Sequence, residues 1–386
     1  MSPFAAIFVP DDLAGALSDG AWLEAMLDAE RALVAAEASA GLVPAEAAAA
    51  LAGVLRAELY DADALARAGR AAGNPVEPLV RAIRAAAGEE HAGFVHLGAT
   101  SQDILDTAAM LVARRALGLI DGELGGAADA CAHLAEQHRE TVMAARTLLQ
   151  QAVPTTFGYK AAGWLVGVVE ARARLAALEL PAQLGGAAGT LAALGDDGPE
   201  VLHLYAEGLG LREPILPWHT RRTPLVDLAG ALAGAAGAAA KIGRDVVLLA
   251  QTEVAEVSEG DGGGSSTMPH KRNPTNAILA DACARHARAN AGVLFESAVQ
   301  EHERAAGAWH AEWHALSTLL AATGGAAAAV RRSVEQLQID AERMRANILD
   351  ETLSEAHRLG HNVAAPEDYV GAAGVFVDRA LALYRQ

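Results

Sequence analysis

The length, composition and charge of the chain exclude several classes of protein. At 386 residues it is too long for one small core, so we expect two or three domains. Its formal net charge of −18 argues against nucleic acid as a partner, because binding nucleic acid requires a broad basic face. With 52% hydrophobic but only 4% aromatic residues, alanine, leucine and valine must fill the core.

Apolar residues recur at helical spacing along almost the whole chain. In chain order, the pattern predicts helices within 11–41, one very long helix or two joined helices over 103–145, and further long helices over 223–257, 273–303 and 317–348. Several of these exceed the usual length of globular helices, which is typical of an elongated bundle. The predicted fold class is therefore all-α.

These helices predict three parts of the chain. We expect an N-terminal helical domain at 1–95 and a central long-helix bundle at 96–335 that carries oligomerisation and the active site. A small helical tail at 336–386 completes the chain.

Cysteine usage and the apolar stretches predict a cytoplasmic protein. Cys131 and Cys283 are too few for a disulfide framework, and the first residues lack the basic region of a signal peptide. The longest uncharged stretches, 228–240 and 317–330, are too short to span a bilayer. We therefore expect the reducing cytoplasm and no membrane contact.

Glycines on the predicted helix over 223–257 indicate close packing. Gly230, Gly234 and Gly237 each cost about 1 kcal/mol relative to alanine inside a helix. Tightly packed neighbours would offset that cost, and a helical oligomer supplies such neighbours. A general bias of the chain towards alanine and glycine is the other explanation.

The segment GDGGGSSTMPHKRNP, residues 260–274, combines flexible glycines with local positive charge. It is not a phosphate-binding P-loop, because Arg272 follows Lys271 where that motif has serine or threonine. Glycine N–H groups can converge on one anion, and Asn273-Pro274 is typical of a helix start, whose N-terminus is partly positive. The segment therefore predicts a site for a carboxylate, and for the enediolate that forms when a proton leaves the neighbouring carbon.

A serine in this segment is the candidate base. A serine hydroxyl is a poor base by itself, but surrounding positive charge favours its alkoxide. Ser265 and Ser266 both lie in that position, and the residues alone do not decide which of them ionises.

The stretch GSSTMPHKRNP, residues 264–274, resembles the signature of the fumarase/aspartase superfamily. The resemblance implies Ser265 as the usual base, and Lys271 and Asn273 as residues that hold a substrate carboxylate. Met268 belongs to the same predicted substrate-binding set.

A second segment, HLGATSQDILDT at residues 96–107, resembles the adenylosuccinate lyase branch of that superfamily. It implies a group of residues that line the site: His96, Thr100 and Ser101. His96 would orient the substrate or move a proton. We expect Asp103 and Asp106 to brace the start of the following helix.

A third segment, ARTLLQQAVPTTFGYK at residues 145–160, resembles another block of the superfamily. It implies further substrate-binding residues: Arg146, Thr147, Gln150 and Gln151. Lyases of this family that release amines usually carry histidine directly after the Arg-Thr pair, where this chain has Leu148.

Leaving-group chemistry explains that departure. Amines and hydroxide leave as strong bases and require a proton donor, whereas a carboxylate, whose conjugate acid has a pKa of about 4, does not. Leu148 therefore favours formation or cleavage of a carbon–oxygen bond to a carboxylate, as in the lactonisation of a muconate.

Other stretches, including GNPVEPLVRAI, QTEVAEV and EHERAAGAWHAEW, resemble the carboxymuconate-lactonising members of the superfamily. They imply conversion of 3-carboxymuconate to 4-carboxymuconolactone in protocatechuate catabolism, through an enediolate, with Arg304 binding another substrate carboxylate. The resemblance weakens after about residue 350, where the tail is shorter than the family's usual C-terminal domain. Two alternatives stay open. One is another lyase of this fold that releases an amine, ammonia or nitrite from a substituted succinate, and the other is a catalytically inactive helical scaffold.

The same resemblance implies a small polycarboxylate substrate, no metal or organic cofactor, and a homotetramer whose sites combine segments of different subunits. The pairs His310/His314 and His357/His361 have the spacing of a helical zinc site. No acidic or cysteine residue is placed in the sequence to complete a tetrahedral set.

Overall fold

The computed structural model describes residues 4–260, 263–264, 268 and 271–386. Over those ranges the chain is mainly helical, which confirms the predicted all-α class. The α-helices, in chain order, are α1 (Ala5–Phe8), α2 (Asp11–Ala16), α3 (Asp19–Ser39), α4 (Ala45–Val54), α5 (Ala62–Ala72), α6 (Val76–His91), α7 (Ser101–Gln137), α8 (Phe157–Ala176), α9 (Gly198–Leu209), α10 (Thr223–Leu249), α11 (Thr275–Glu296), α12 (Ala308–Glu335), α13 (Ala341–Ala346), α14 (Ser354–Arg358) and α15 (Ala373–Tyr384).

Short antiparallel strand pairs accompany these helices. The strands are β1 (Val142–Thr147), β2 (Gln150–Thr156), β3 (Val257–Glu259), β4 (Gly263–Gly264), β5 (Arg272–Asn273) and β6 (Leu337–Ile339). β1 and β2 form a hairpin in which Val142 lies opposite Thr156 and Thr147 opposite Gln150. β3 pairs with β6, and β4 pairs with β5.

The bundle forms because each long helix presents an apolar face. On α7, Ala116, Ile120 and Leu124 recur every fourth residue and are buried, which is the spacing that places side chains on one side of a helix. α7 packs against α8 and α12, and α11 packs against both α10 and α12.

Four predicted helices end earlier than expected, among them the helix over 273–303, which ends at Glu296. The helix over 103–145 ends at Gln137, and β1 occupies its last residues. The helix over 223–257 ends at Leu249, and β6 divides the helix over 317–348. Strand pairing accounts for the breaks at β1 and β6, since β1 bonds to the neighbouring β2 in a hairpin and β6 bonds to the distant β3.

Glycines are required where elements approach closely. A Cβ at Gly324 of α12 would lie 2.1 Å from Leu13, and one at Gly325 would lie 2.2 Å from the carbonyl oxygen of Phe8. By contrast, nothing lies within 4 Å of a Cβ built at Gly230, Gly234 or Gly237. The close packing predicted for those three glycines of α10 therefore does not occur within one chain.

α10 is also the one helix in the described part of the chain that is long and apolar enough to cross a membrane, with a mean hydropathy of 1.4. Half of that stretch is buried by the rest of the protein, and a core helix of a bundle meets the same criterion.

The long helices place the three segments that resemble the superfamily at two ends of the bundle. α7, α10 and α12 start close together, since Arg222 binds both Asp106 and Glu312. We call this region the arginine end; it comprises Asp103, Asp106, His219, Arg222 and Glu312 together with the residues they contact. The hairpin end comprises residues 142–156, 250–260, 263–264 and 271–276, where Ser333 of α12 donates to Glu259.

Candidate active site

Arg222 is the centre of a buried charge network at the arginine end. Its guanidinium donates to Asp106 at 2.7 and 3.1 Å and to Glu312 at 2.9 and 2.6 Å. It also lies over the ring of Trp218, with 4.6 Å from Cζ to the ring centroid. Burial raises the pKa of Glu312 to about 7, although the Arg222 charge opposes that rise. The network joins the starts of α7, α10 and α12 with paired charges.

Asp103 fixes the segment that leads into α7. Its carboxylate accepts the N–H groups of Thr100, Gly185 and Gly186, each at 2.9 Å. It also lies 2.6 Å from Nε2 of His219. Asp103 and Asp106 therefore brace the start of this helix, which confirms the prediction made for them.

His96 lies beside this segment and contacts a buried glutamate. Its Nδ1 is 2.6 Å from Oε1 of Glu30, which is only 1% exposed. Burial by itself lowers the pKa of His96, but the Glu30 carboxylate, with a smaller contribution from Asp103, raises it overall. Farther along α3, burial and the neighbouring Glu30 charge raise the pKa of Glu37 to about 9.

Arg304 reaches the same end from the segment before α12. Its guanidinium donates to Oε1 of Gln102 at 3.2 Å and to the carbonyl oxygens of Gly186 and Ala187 at 3.2 and 2.9 Å. The structure thus brings together at the arginine end four of the predicted site residues: His96, Thr100, Ser101 and Arg304.

The β1–β2 hairpin carries the residues predicted from the third segment. Arg146 forms a two-pronged ion pair with Glu256, at 2.9 and 2.6 Å, and Glu256 is fully buried. Gln151 donates to the carbonyl oxygen of Asn347 at 2.8 Å and accepts the N–H of Leu349 at 3.1 Å. These two side chains therefore anchor the hairpin to the rest of the chain.

The tip of the hairpin faces outward. Leu148 is 97% exposed and Leu149 is 73% exposed, and both adopt positive φ angles, of 52° and 67°. Thr147 and Gln150 pair across the tip and are also exposed. The two adjacent leucines form a small exposed apolar patch, and contiguous patches of this kind, when large enough, mark contacts with other molecules.

Lys271 and Asn273 also lie at the hairpin end. The Lys271 side chain is exposed, whereas the Asn273 amide donates to the carbonyl oxygen of Gly263 at 3.0 Å and holds β4 against β5. α11 then starts at Thr275, as predicted from Asn273-Pro274. Met268 is 41% exposed, while Ser265 and Ser266 lie outside the described residues.

A cavity of about 960 Å³ adjoins this segment. Lys271, Arg272 and Asn273 line one side of it, and Gln251 and Ser258 line another. The cavity is large enough for a small polycarboxylate. Lys271 and Arg272 supply positive charge at one wall, while Glu259, Asp340 and Glu342 line the remainder, so only the Lys271 side favours a carboxylate.

One chain does not bring the two groups of predicted residues together. α7 has 37 residues and connects the arginine end to the hairpin. At a rise of about 1.5 Å per residue, its two ends are about 55 Å apart. His96 and Arg304 therefore lie far from the hairpin tip of the same chain.

Sequence reasoning missed the residues that hold the predicted ones in place. They are Glu30, His219, Arg222, Glu256 and Glu312, all of them nearly or fully buried. The signal for Glu30 was present, since it follows apolar residues of α3 at helical spacing and so lies on the buried face. The pattern of apolar residues could not predict that Glu30 contacts His96, which lies 66 residues away in the sequence.

The fold and these segments define a class of enzyme. A sequence model of a family described as lyase matches residues 10–287, and the chain belongs to that family, in the fumarase/aspartase superfamily. Within the described residues, no group of three or more His, Cys, Asp or Glu side chains is placed to hold a metal ion.

Particular relatives narrow this class. Nitrosuccinate lyase of Streptomyces davaonensis is 50% identical over 349 residues, covering 86% of this chain and 74% of the relative. The 3-carboxy-cis,cis-muconate cycloisomerase of Bradyrhizobium diazoefficiens is 48% identical over 342 residues, covering 86% and 76%. The crystal structure of 3-carboxy-cis,cis-muconate lactonizing enzyme from Pseudomonas putida matches with a TM-score of 0.93 at 39% identity, covering 100% of this chain and 99% of the other. The predicted resemblance is thereby confirmed.

Proposed function

We propose that the protein is a 3-carboxy-cis,cis-muconate cycloisomerase, which lactonises 3-carboxymuconate to 4-carboxymuconolactone in protocatechuate catabolism. The observation that carries this proposal is the likeness to the Pseudomonas putida lactonizing enzyme over the whole length of both chains. Cycloisomerases of three further bacteria, at 40–48% identity, support it.

The hairpin tip supports the same chemistry. Leu148 stands where relatives that release amines carry histidine, and its fully exposed side chain has no group that can donate a proton. A carboxylate needs no such donor, because it is a weak base. Attack of one substrate carboxylate on its own double bond is therefore compatible with leucine at this position.

In the proposed reaction, a carboxylate of the substrate adds to the double bond and an enediolate develops on the neighbouring carboxylate. Lys271 and Asn273 stabilise that charge, and Ser265 delivers the proton to carbon, with Ser266 as the neighbouring candidate. Arg304 binds another carboxylate, and His96 orients the substrate or moves a proton. The remaining substrate contacts come from five residues: Thr100, Ser101, Thr147, Gln150 and Met268. Arg146 and Gln151 hold the hairpin that presents Thr147 and Gln150.

The separation of the two ends supports a homotetramer with shared sites. His96 and Arg304 cannot meet Lys271 of the same chain, because α10 runs from one end to the other and its 27 residues span about 40 Å. The open surface at Gly230, Gly234 and Gly237 gives a second chain room to approach α10 closely. Sedimentation should find a tetramer, and an active monomer would contradict the arrangement.

We place the protein in the cytoplasm, where buried, unpaired Cys131 and Cys283 stay reduced.

The second candidate function is nitrosuccinate lyase activity. The 50% identical relative from Streptomyces davaonensis favours it, and nitrite, like a carboxylate, is a weakly basic leaving group. Leu148 is therefore compatible with both candidate activities, and an assay with each substrate must distinguish them.

The deciding experiment supplies 3-carboxymuconate, nitrosuccinate and adenylosuccinate separately and follows ultraviolet absorbance. We expect turnover of 3-carboxymuconate, and a loss of about 10²- to 10⁴-fold in kcat for Ser265→Ala. Ser39→Ala, on the surface at the end of α3, is the matched control and should keep full activity. Turnover of nitrosuccinate alone would establish the second candidate. Unchanged activity and affinity in Ser265→Ala would favour the inactive-scaffold alternative.

A further inference from the structure

Two carboxyl groups of α3 lie buried on the face that meets His96. Glu30 and Glu37 are seven residues apart, which places them two helical turns from each other on the same side. Both are almost fully buried, at 1% and 0% exposure. In the described part of the chain, Glu30 Oε1 has one partner, Nδ1 of His96 at 2.6 Å, while Glu30 Oε2 and both oxygens of Glu37 have none.

The contact determines how His96 can use its two nitrogens. An ionised carboxylate only accepts hydrogen bonds, so Nδ1 must carry the proton that it donates to Glu30. Nε2 is then the nitrogen that gains or loses a proton, and no described residue is hydrogen-bonded to it. His96 also has a positive φ of 61°, a strained conformation for a residue other than glycine that persists only where surrounding contacts enforce it.

We propose that Glu30 is a positioning residue for the reaction. It fixes the tautomer and orientation of the His96 ring, so that Nε2–H of a protonated His96 acts on the substrate. The proposal deepens the function proposed above and rests on it for the identity of the substrate. Histidines that act on substrates are commonly oriented in this way by the group bound to their other nitrogen.

The charges around His96 agree with this role. Glu30 from α3 and Asp103 from α7 favour the imidazolium, while Arg84 from α6 opposes it, and the pKa of His96 is raised on balance despite burial. Glu37 stays protonated at neutral pH, because burial and Glu30 raise its pKa to about 9. Glu37 therefore adds no negative charge beside Glu30 at neutral pH.

The first test measures His96 without any substrate. Hydrogen–deuterium exchange at the imidazole C2 position, read by mass spectrometry of peptides across pH 5–9, gives the pKa of each histidine. In Glu30→Gln the pKa of His96 should fall by about one to two units. The matched control is Glu213→Gln, which breaks an exposed pair with His203 at 2.8 Å. Solvent screening should keep that second shift below about half a unit.

The second test measures the reaction with 3-carboxymuconate. A protonated His96 that acts on substrate loses activity as pH rises through its pKa. Glu30→Gln should therefore move the alkaline limb of kcat/KM to lower pH by the same interval, and reduce kcat at pH 7.5 by about tenfold. Glu213→Gln should leave both unchanged. Glu30→Asp, which keeps the charge, should restore most of the wild-type pH profile.

The outcomes separate the two proposals. An unchanged pKa of His96 in Glu30→Gln overturns the inference, and so does a lowered pKa with an unmoved alkaline limb. If Glu30→Gln does not fold, the wild type decides, since a His96 pKa at or below the ordinary value of about 6.5 in the exchange measurement overturns the inference too. Failure of the wild type to turn over 3-carboxymuconate contradicts the proposed function alone, because the exchange measurement still reports on Glu30.

Discussion

The two ends of the bundle use charged residues in opposite ways. At the arginine end, Arg222 and its two carboxylate partners are buried and pair with one another. At the hairpin end, Lys271 and the tip of the β1–β2 hairpin point away from the chain. At the arginine end the paired charges hold three helices together. At the hairpin end the exposed groups stay available to another molecule. The comparison indicates that buried ion pairs hold the arginine end rigidly, and it is consistent with our proposal that the exposed hairpin end contributes to a site formed with another chain.

The largest effect is expected from mixing variants of the two ends. His96→Asn and Ser265→Ala should each be nearly inactive, and asparagine tolerates the positive φ of position 96. Mixed oligomers should regain about one quarter of wild-type activity, because some sites then combine an intact segment from each of two chains. The measurement is kcat of the co-refolded mixture. Activity no greater than the sum of the separate variants would mean that each site lies within one chain.

The next effect compares the two buried ion pairs. Arg222→Met should lower the free energy of unfolding by about 3–5 kcal/mol, because it leaves two buried carboxylates without their partner. Arg146→Met should cost less, about 1–3 kcal/mol, because it removes the charge partner of one buried carboxylate, Glu256, rather than of two. The other hydrogen bonds of these carboxylates, from Asn347 to Glu256, from Trp309 to Asp106 and from Gln300 to Glu312, remain in both variants. Urea unfolding followed by circular dichroism measures both. Equal losses in the free energy of unfolding would mean that the two buried ion pairs support their ends of the bundle to the same degree.

A smaller, pH-dependent effect is expected at Glu37. Its pKa is about 9 in the folded protein and about 4.5 when unfolded, so between those values the folded state binds one more proton than the unfolded state. This group therefore removes up to about 1.4 kcal/mol of stability for each pH unit above 4.5, until pH 9. Glu37→Gln should match the wild type near pH 5 and exceed it increasingly towards pH 8. A constant difference from pH 5 to pH 8 would mean that Glu37 is ionised in the fold.

The smallest change in stability is expected at the hairpin tip. Leu148→Ser alters a fully exposed side chain, so the stability of the folded chain should change by no more than about 0.5 kcal/mol. If the tip enters a site formed with a second chain, activity or assembly should nevertheless fall, as measured by kcat and by sedimentation. Leu359→Ser, at another exposed leucine, is the control. Identical behaviour of the two variants would show that the tip has no partner.

The hairpin illustrates where sequence patterns mislead. Residues 142–144 are all buried, so they lack the apolar–polar alternation of a half-exposed strand and read as the end of a helix. β1 forms because β2 supplies its hydrogen-bond partners and because the N–H of Gly158 binds the carbonyl oxygen of His138 at the end of α7. Neither partner is visible within a single helical window.

By itself, the sequence determined the helical class, the start of α11 after Asn273-Pro274, the bracing roles of Asp103 and Asp106, and the family through its motifs. Those features depend on hydrogen bonds and apolar faces that repeat every three or four residues, so a short stretch of sequence encodes them. Only the tertiary structure decided that Glu30 meets His96, that Arg222 joins three helices, and that α7 holds the two groups of site residues far apart. Such pairings join residues that are distant in the chain, and they arise from the packing of whole helices rather than from any local pattern.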